Sequence, residues 1–277
     1  MFFFKKKQIL KYQITDLTDK LKSLYYVCLE DWSDEMKEAG NHKELWYQKM
    51  KDKGLGIKLA MTESGEIGGM IQYFPIEYSA AQGKNLYFVY CIWVHGYKKG
   101  RGNFQRRGMG KFLLRAAEKD VRDRGAKGIV TWGLSIPVWM RASWFKKQGY
   151  KPVDKMSVQV LLWKPFSEEA VPPKWRRPLK KPDSKGSTSQ VLVSGFNSGL
   201  CPAMNISFER LKRVASEFDA KVKIASYDTS NPQTIQEWGI TNALFINKRE
   251  VALGPPLSCK KIRKLIKREI KKIKAKN

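Results

Sequence analysis

Histidine is nearly absent from this chain. His42 and His95 are the only two in 277 residues, which argues against a histidine-built metal site. The four cysteines, Cys28, Cys91, Cys201 and Cys259, stand far apart and form no CxxC pair, so neither zinc spacing nor a disulfide framework is suggested. A reducing, cytoplasmic setting is the simplest reading. No apolar run approaches the length needed to cross a membrane. The opening Met1-Phe2-Phe3-Phe4-Lys5-Lys6-Lys7 puts its charge after a short apolar stretch, the reverse of a signal peptide. Acids are scarce as well: 26 Asp and Glu face 53 Lys and Arg, a net charge of +27.

That charge is unevenly spread. Residues 174–185 carry six Lys/Arg against Asp183, residues 259–277 carry ten against Glu269, and residues 96–125 carry ten against three acids. The last of these suits an anionic cofactor. The other two could attract nucleic acid or acidic protein, but a solvated lysine-rich surface is favoured. The aromatics lie mostly in predicted strands and lack stacking-platform spacing, so nucleic-acid recognition is weakly supported. An apolar content of 42% supports packed cores, enough for one large or two small domains.

What the chain does have is Gln105-Arg106-Arg107-Gly108-Met109-Gly110, between an apolar strand-like run (Leu86 to Val94) and a helix-like run (108–124). Strand, glycine-bearing turn and helix start build an anion cradle. The first amides of a helix are unpaired, and its dipole favours negative charge there. A P-loop would need Gly at 105 and Ser or Thr at 112, where Gln105 and Phe112 stand. A dinucleotide fingerprint would need a third Gly where Leu113 stands.

The remaining pattern predicts helices over Ile14–Glu30 and Lys43–Lys51. Strands are predicted over Leu55–Met61, Gly68–Ile76, Leu86–Val94, Gly128–Leu134 and Val153–Trp163, with a short helix over Arg141–Gln148. Five prolines between Pro165 and Pro182, then the small residues Ser184–Ser189, mark a linker that Trp175 could dock. Beyond it, strands are predicted at Gln190–Ser194, Lys221–Ser226, Ala243–Ile246 and Glu250–Leu253. Helices are predicted at Asn205–Phe218 and Thr234–Trp238, with a final amphipathic helix capped by Ser258.

The Gln-x-x-Gly-x-Gly turn, its strand–turn–helix setting and the segment Ala142–Tyr150 resemble the GNAT N-acetyltransferase superfamily over residues 1–165. The second half resembles the thioredoxin/glutaredoxin fold. Phe196–Met204 matches the glutaredoxin active-site turn in spacing, and Leu244–Lys248 matches its later strand. A GNAT domain followed by such a module resembles proteins with a YoaP-like C-terminal domain. The fold implied is α/β: a GNAT domain with a mixed central sheet (1–165), a basic Pro-rich linker (166–189) and a smaller thioredoxin-like α/β domain (190–277).

The resemblance implies an acetyl-CoA-dependent N-acetyltransferase with acetyl-CoA as co-substrate, no metal, and a small-molecule or protein amine as acceptor. The amine would attack the thioester directly. The implied cofactor-binding residues are Ile92, Trp93 and Val94 on the strand, and Gln105, Arg106, Arg107, Gly108, Met109, Gly110 and Lys111 in the turn. Two departures stand out. Phe145 occupies the place of the family's frequent tyrosine acid, and Val138 or Trp139 that of its common Asn. Glu77, Tyr78 and Tyr90 are therefore the candidate catalytic residues, with Tyr87 and His95 nearby. The long loop after Val94 is either a substrate lid or a disordered basic excursion. In the second half, Cys201 would sit at a helix N-terminus that favours a thiolate. Met204 replaces the resolving cysteine and Asn242 the usual proline, which favours a non-redox scaffold. The competing reading is a coenzyme A-binding module without turnover, fused to a thioredoxin-like adaptor.

Overall fold

A computed structural model describes residues 12–182, 189–251 and 254–274. The linker at Ser184–Ser189 lies, apart from Ser189, outside the described residues, as do residues 252–253 of the last expected strand.

Seven strands form the larger sheet: β1 (Gln13–Asp16), β2 (Gly56–Met61), β3 (Ile67–Pro75), β4 (Leu86–Val94), β5 (Gly128–Leu134), β6 (Lys151–Met156) and β7 (Gln159–Pro165). Their order is β1-β2-β3-β4-β5-β7-β6. Only β4 and β5 pair in parallel; every other neighbour is antiparallel. The connection between these two strands is α3 (Met109–Asp123), as a parallel pair requires. Met109, Leu113, Leu114, Ala117 and Val121 make the face of α3 that packs on the sheet. Gly125, at φ 79°, ends it: the Gly125 amide donates to Arg122 O and the Ala126 amide to Val121 O, a Schellman stop. The opposite face of the sheet is covered by α1 (Lys22–Tyr26) and α2 (His42–Met50), through Leu24, Tyr25, Trp46 and Met50. The short α4 (Ala142–Lys146) lies beside β5 and β7.

Two expectations are corrected here. Ile14–Glu30 is not one helix. Gln13–Asp16 pairs as an edge strand with β2, Ile14 opposite Ala60, so tertiary pairing overrides the helical spacing of Leu17, Leu21 and Leu24. The helix then stops at Tyr26, because Cys28 and Leu29 take φ of 51° and 65°. Likewise Val153–Trp163 is a hairpin rather than one strand. Ser157 turns at φ 54° and leaves Val158 exposed at the tip, with no Gly, Pro or Asn to announce it.

The prolines after Pro165 do not keep the segment out of regular structure: it forms a small two-stranded sheet of its own beside the larger one. Lys174–Trp175 pairs with Ala81–Gln82, the Trp175 amide donates to Asp154 Oδ2 at 2.8 Å, and the indole is buried in the first core.

A second sheet follows: β8 (Val191–Asn197), β9 (Val222–Asp228), β10 (Ala243–Ile246) and β11 (Arg249–Glu250), in the order β9-β8-β10-β11. β8 is parallel to β9 and antiparallel to β10. α5 (Pro202–Ser216) and α7 (Cys259–Lys274) pack on it through Phe208, Leu211, Val214, Ile262 and Ile266. α6 (Pro232–Trp238) is capped by Asn231, whose side chain accepts from the Gln233 amide.

The two sheets meet along α5. Arg210 donates to Glu38 at 2.6 and 3.1 Å and to Glu35 at 2.8 Å, and Arg213 reaches Glu38 at 2.6 Å. His42 meets Glu209 at 2.6 Å, Lys49 meets Asp228 at 2.7 Å, and Leu200 is buried in the core of the first sheet.

Candidate active site

The sheet opens at its centre. Pairing between β4 and β5 stops at Val89 opposite Thr131, while β4 runs on to Val94 against β3 alone. Gln72 pairs with Cys91 and Tyr73 with Val89, so Tyr90 is the extra residue of a bulge at the point of divergence. The amide after the strand, His95, donates to Gly68 O on β3. Antiparallel alternation therefore turns the peptide groups of Ile92 and Val94 toward the opening. Its two ends are closed by side chains. The Trp132 indole donates to Tyr90 O at 2.8 Å, and the Gln105 amide donates to Val94 O at 3.2 Å.

The glycine turn stands at the mouth of this wedge. Arg106 takes φ 60° and Gly108, the residue before α3, takes φ 89°, a left-handed conformation suited to glycine. The Lys111 amide already bonds Gly108 O, and the amides just before it are the orphans of the helix start. A Cβ on Gly110 would stand 3.6 to 3.9 Å from Trp144, Val94 and Ile92, so this glycine faces the wedge itself. Arg106, Arg107 and Lys111 are exposed, whereas the Met109 side chain is buried in the core and only its main chain faces outward. Beside α3, a cavity of about 190 Å³ is lined by Lys111, Arg115, Lys147 and Lys164, with Glu118 as its single acid.

On the other face of β4 stand Tyr90 and Trp93, packed against the α1–α2 core. The Tyr90 phenol receives a 3.4 Å hydrogen bond from Asn242 Nδ2 of the second sheet, and burial pushes its pKa well above the ordinary tyrosine value. Burial likewise pushes up the thiols of Cys91 and Cys201. Cys201 does precede α5, and the Ala203 and Met204 amides pull its pKa down, but burial outweighs them. The thiolate expected from the helix dipole is thus corrected to a thiol. Nearby, Lys43 is 2% exposed and donates to Tyr25 O at 2.7 Å and Cys28 Sγ at 2.9 Å.

Glu30 carried no signal in the sequence. It is 7% exposed and follows the left-handed pair Cys28 and Leu29. Its Oε1 has no hydrogen-bond partner, and neither has Nε1 of the neighbouring Trp93. Burial raises its pKa, while His95 and then the Trp93 and Trp32 indoles pull the other way. Such unpaired buried groups are rare and need an explanation.

The long loop after Val94 is neither disordered nor loose. Gly96–Tyr97 pairs with Gly102–Asn103, and Arg101 clamps Asp31 at 2.7 and 3.0 Å and Glu66 at 2.6 Å. His95 is sealed beneath it. Trp32 Nε1 can only donate and Gly102 O can only accept, so the ring proton sits on Nδ1, at 2.6 Å from Gly102 O, and Nε2 accepts at 2.9 Å.

Glu77 and Tyr78 are not brought to this place. They form a short 3-10 turn after Pro75, which pairs with Tyr87 at the end of β4 opposite the wedge, roughly 20 Å along the sheet. Phe145 is 1% exposed, in the core between Trp144 and Tyr150. Among the described residues, no cluster of three His, Cys, Asp or Glu could hold a metal ion, and no helix is long and apolar enough to cross a membrane.

Residues 16–149 match the acetyltransferase (GNAT) family. No curated protein matches the chain. Among solved structures, PaiA N-acetyltransferase of Thermoplasma acidophilum in complex with coenzyme A is 18% identical, covering 57% of this chain and all of its own, with a TM-score of 0.42. A GNAT-family acetyltransferase of Brucella melitensis in complex with acetyl-CoA is 16% identical over 58% of this chain and 92% of its own, with a TM-score of 0.39. The GNAT-family N-acetyltransferase YhbS of Escherichia coli, in complex with CoA, is 9% identical over 60% of this chain and 90% of its own, with a TM-score of 0.42.

Proposed function

We propose that the acetyltransferase (GNAT) domain carried by residues 16–149 transfers an acetyl group from acetyl-CoA to a primary amine. The observation that carries this reading is the wedge. The open peptide edge at Ile92 and the Val94 amide runs straight to the orphan amides of the glycine turn, so one extended ligand with amide groups and a pyrophosphate can use both. Arg106, Arg107 and Lys111 add charge around the pyrophosphate, and the peptide groups of Ile92 to Val94 hold the pantetheine arm. Acetyl-CoA supplies an activated thioester. The amine nitrogen bonds to its carbonyl carbon, the C–S bond breaks, and the departing sulfur takes a proton, which the one shed by the nitrogen as it becomes an amide replaces. Phe145 cannot give that proton. Tyr90 can, because burial keeps its phenol protonated and the bulge sets it at the apex of the wedge.

The domain reading runs with this: an acetyltransferase unit to residue 165, a docked linker, and a thioredoxin-like unit from residue 190. The order β9-β8-β10-β11 and the flanking α5 and α7 support the likeness. In this arrangement Asn242 is turned inward onto Tyr90 and Cys201 is half-buried with its thiol pKa raised, which favours a structural unit over a working oxidoreductase.

The test is ligand-induced stabilisation. Coenzyme A should raise the melting temperature of the wild type, and Gly110→Val should abolish the shift while leaving the melting temperature of the free protein within a few degrees. An unchanged shift in Gly110→Val would remove the wedge as the binding site.

A further inference from the structure

The far side of the wedge carries groups that the acetyl-CoA reading leaves unused, and they differ in kind from one end to the other. At the outer end stands Glu30, sealed and unpartnered at Oε1, beside Trp93. At the inner end stands Trp132, bonded to Tyr90 O at 2.8 Å. The Trp139 ring meets Trp132 edge-on at 5.5 Å and is itself 45% exposed, next to Val138 at 46% and Ile136 at 44%. Three large apolar side chains exposed in one short loop are uncommon on a soluble surface.

The loop is not loose. The Leu134 amide donates to Met140 O at 2.7 Å, the Ser135 amide to Val158 O at 2.9 Å, and the Arg141 guanidinium to the carbonyls of Val138 and Pro137 at 3.3 and 3.2 Å. An apolar rim is therefore held ready at one end, and at the other a carboxyl whose Oε1 is without a hydrogen bond among the described residues. Tyr90 and Trp93 are three residues apart on β4, about 10 Å. The neighbouring acids Asp31 and Glu66 are both taken by Arg101. Glu30 is the acid here that no arginine holds, which suits one ammonium, and the excess of positive charge on the chain opposes a polycation.

We infer that the acceptor is a primary monoamine on an aromatic or branched apolar body, its ammonium at Glu30 and its body against Trp132, Val138 and Trp139. The inference rests on the acetyl-transfer reading. Glu30 takes one proton from the ammonium, directly or through a water, which frees the nitrogen lone pair to attack the thioester carbonyl.

The experiment is thiol release from acetyl-CoA with tryptamine, 2-phenylethylamine, n-butylamine and spermidine as acceptors, alongside the coenzyme A melting shift. We expect kcat/KM for tryptamine to exceed that for spermidine at least about tenfold, in the range that burial of one apolar group discriminates. Trp139→Ala should raise KM for tryptamine about tenfold and that for n-butylamine by much less. Glu30→Gln should abolish turnover of every amine without altering the melting shift, and Glu30→Asp should restore part of it. Equal or better use of spermidine overturns the acceptor class. So does full turnover in Glu30→Gln. No thiol release from any of these amines overturns the acceptor class if coenzyme A still shifts the melting temperature, and the transfer reading itself if it does not.

Discussion

Lys43 places its Nζ 2.9 Å from Cys28 Sγ and 3.9 Å from the centroid of the Tyr25 ring, with almost none of its surface in water. Among the described residues no carboxylate pairs with it. The ammonium instead rests on Tyr25 O, a sulfur and a π face, which ties the turn at Cys28 and Leu29 to α2. This turn carries two non-glycine residues in left-handed backbone and sets the position of Glu30.

Removing that tie should loosen the turn. Lys43→Ala leaves a cavity and an unsatisfied carbonyl, and we expect a loss of about 3 kcal/mol in urea denaturation. Lys43→Met keeps the volume and should lose about 1 to 2 kcal/mol. If the two variants unfold at the same urea concentration as the wild type, the contact is incidental.

The junction between the two sheets should respond to acid. The guanidinium of Arg210, then that of Arg213, holds the Glu38 carboxyl down at about 2, from an ordinary 4.5. A depressed carboxyl contributes stability that is fully present above its unfolded value and is lost as pH falls through its folded value. The contribution should therefore fade between about pH 4.5 and pH 2. Glu38→Gln should flatten that part of the stability–pH curve. Arg210→Ala should lower stability at pH 7 by about 1 kcal/mol, since Glu35 loses its partner and Glu38 keeps only Arg213. An identical acid limb in Glu38→Gln would place the acid sensitivity elsewhere.

Burial raises the thiols of Cys91 and Cys201, so neither should behave as a nucleophile in the folded protein. With iodoacetamide at pH 7.5, mass spectrometry should find both unmodified in the native state and both alkylated in urea. Cys201→Ser should leave acetyl-transfer kinetics unchanged. Rapid native alkylation of Cys201 would reveal a working thiol at the start of α5.

The glycine turn was legible because its signal is local. A strand, a left-handed glycine and a helix start lie within a few residues of one another, and the amides of a helix start depend on backbone alone. Gln105 through Lys111 therefore stand where the pattern puts them. Glu30, Lys43 and Asn242 were not legible. They matter only through contacts with Trp93, Cys28 and Tyr90, at separations of 63, 15 and 152 residues, and single-residue chemistry gives no hint of such meetings. Glu77 and Tyr78 illustrate the converse. They end a central strand, as an active-site pair can, but the antiparallel register sends that end away from the wedge. The edge strand at Gln13–Asp16 was hidden by leucines at helical spacing, because edge pairing is decided by β2 and not by the segment itself.

Phe145 provides the last test, since a tyrosine there would restore the phenol that the family resemblance leads one to expect. The ring is 1% exposed, 4.9 Å from Trp144 and 5.8 Å from Tyr150, whose own hydroxyl is buried without a hydrogen-bond partner. A hydroxyl added to this ring enters a sealed core that already holds one unsatisfied phenol, so it gains no route to the wedge. We expect Phe145→Tyr to lose about 1 to 3 kcal/mol of stability, the usual consequence of burying an unpaired polar group. It should keep the coenzyme A melting shift and gain no turnover. Thermal denaturation with and without coenzyme A, together with thiol release, decides the matter. A rise in kcat with unchanged stability would show that residue 145 faces the leaving sulfur, and would transfer the acid's role from Tyr90 to that position.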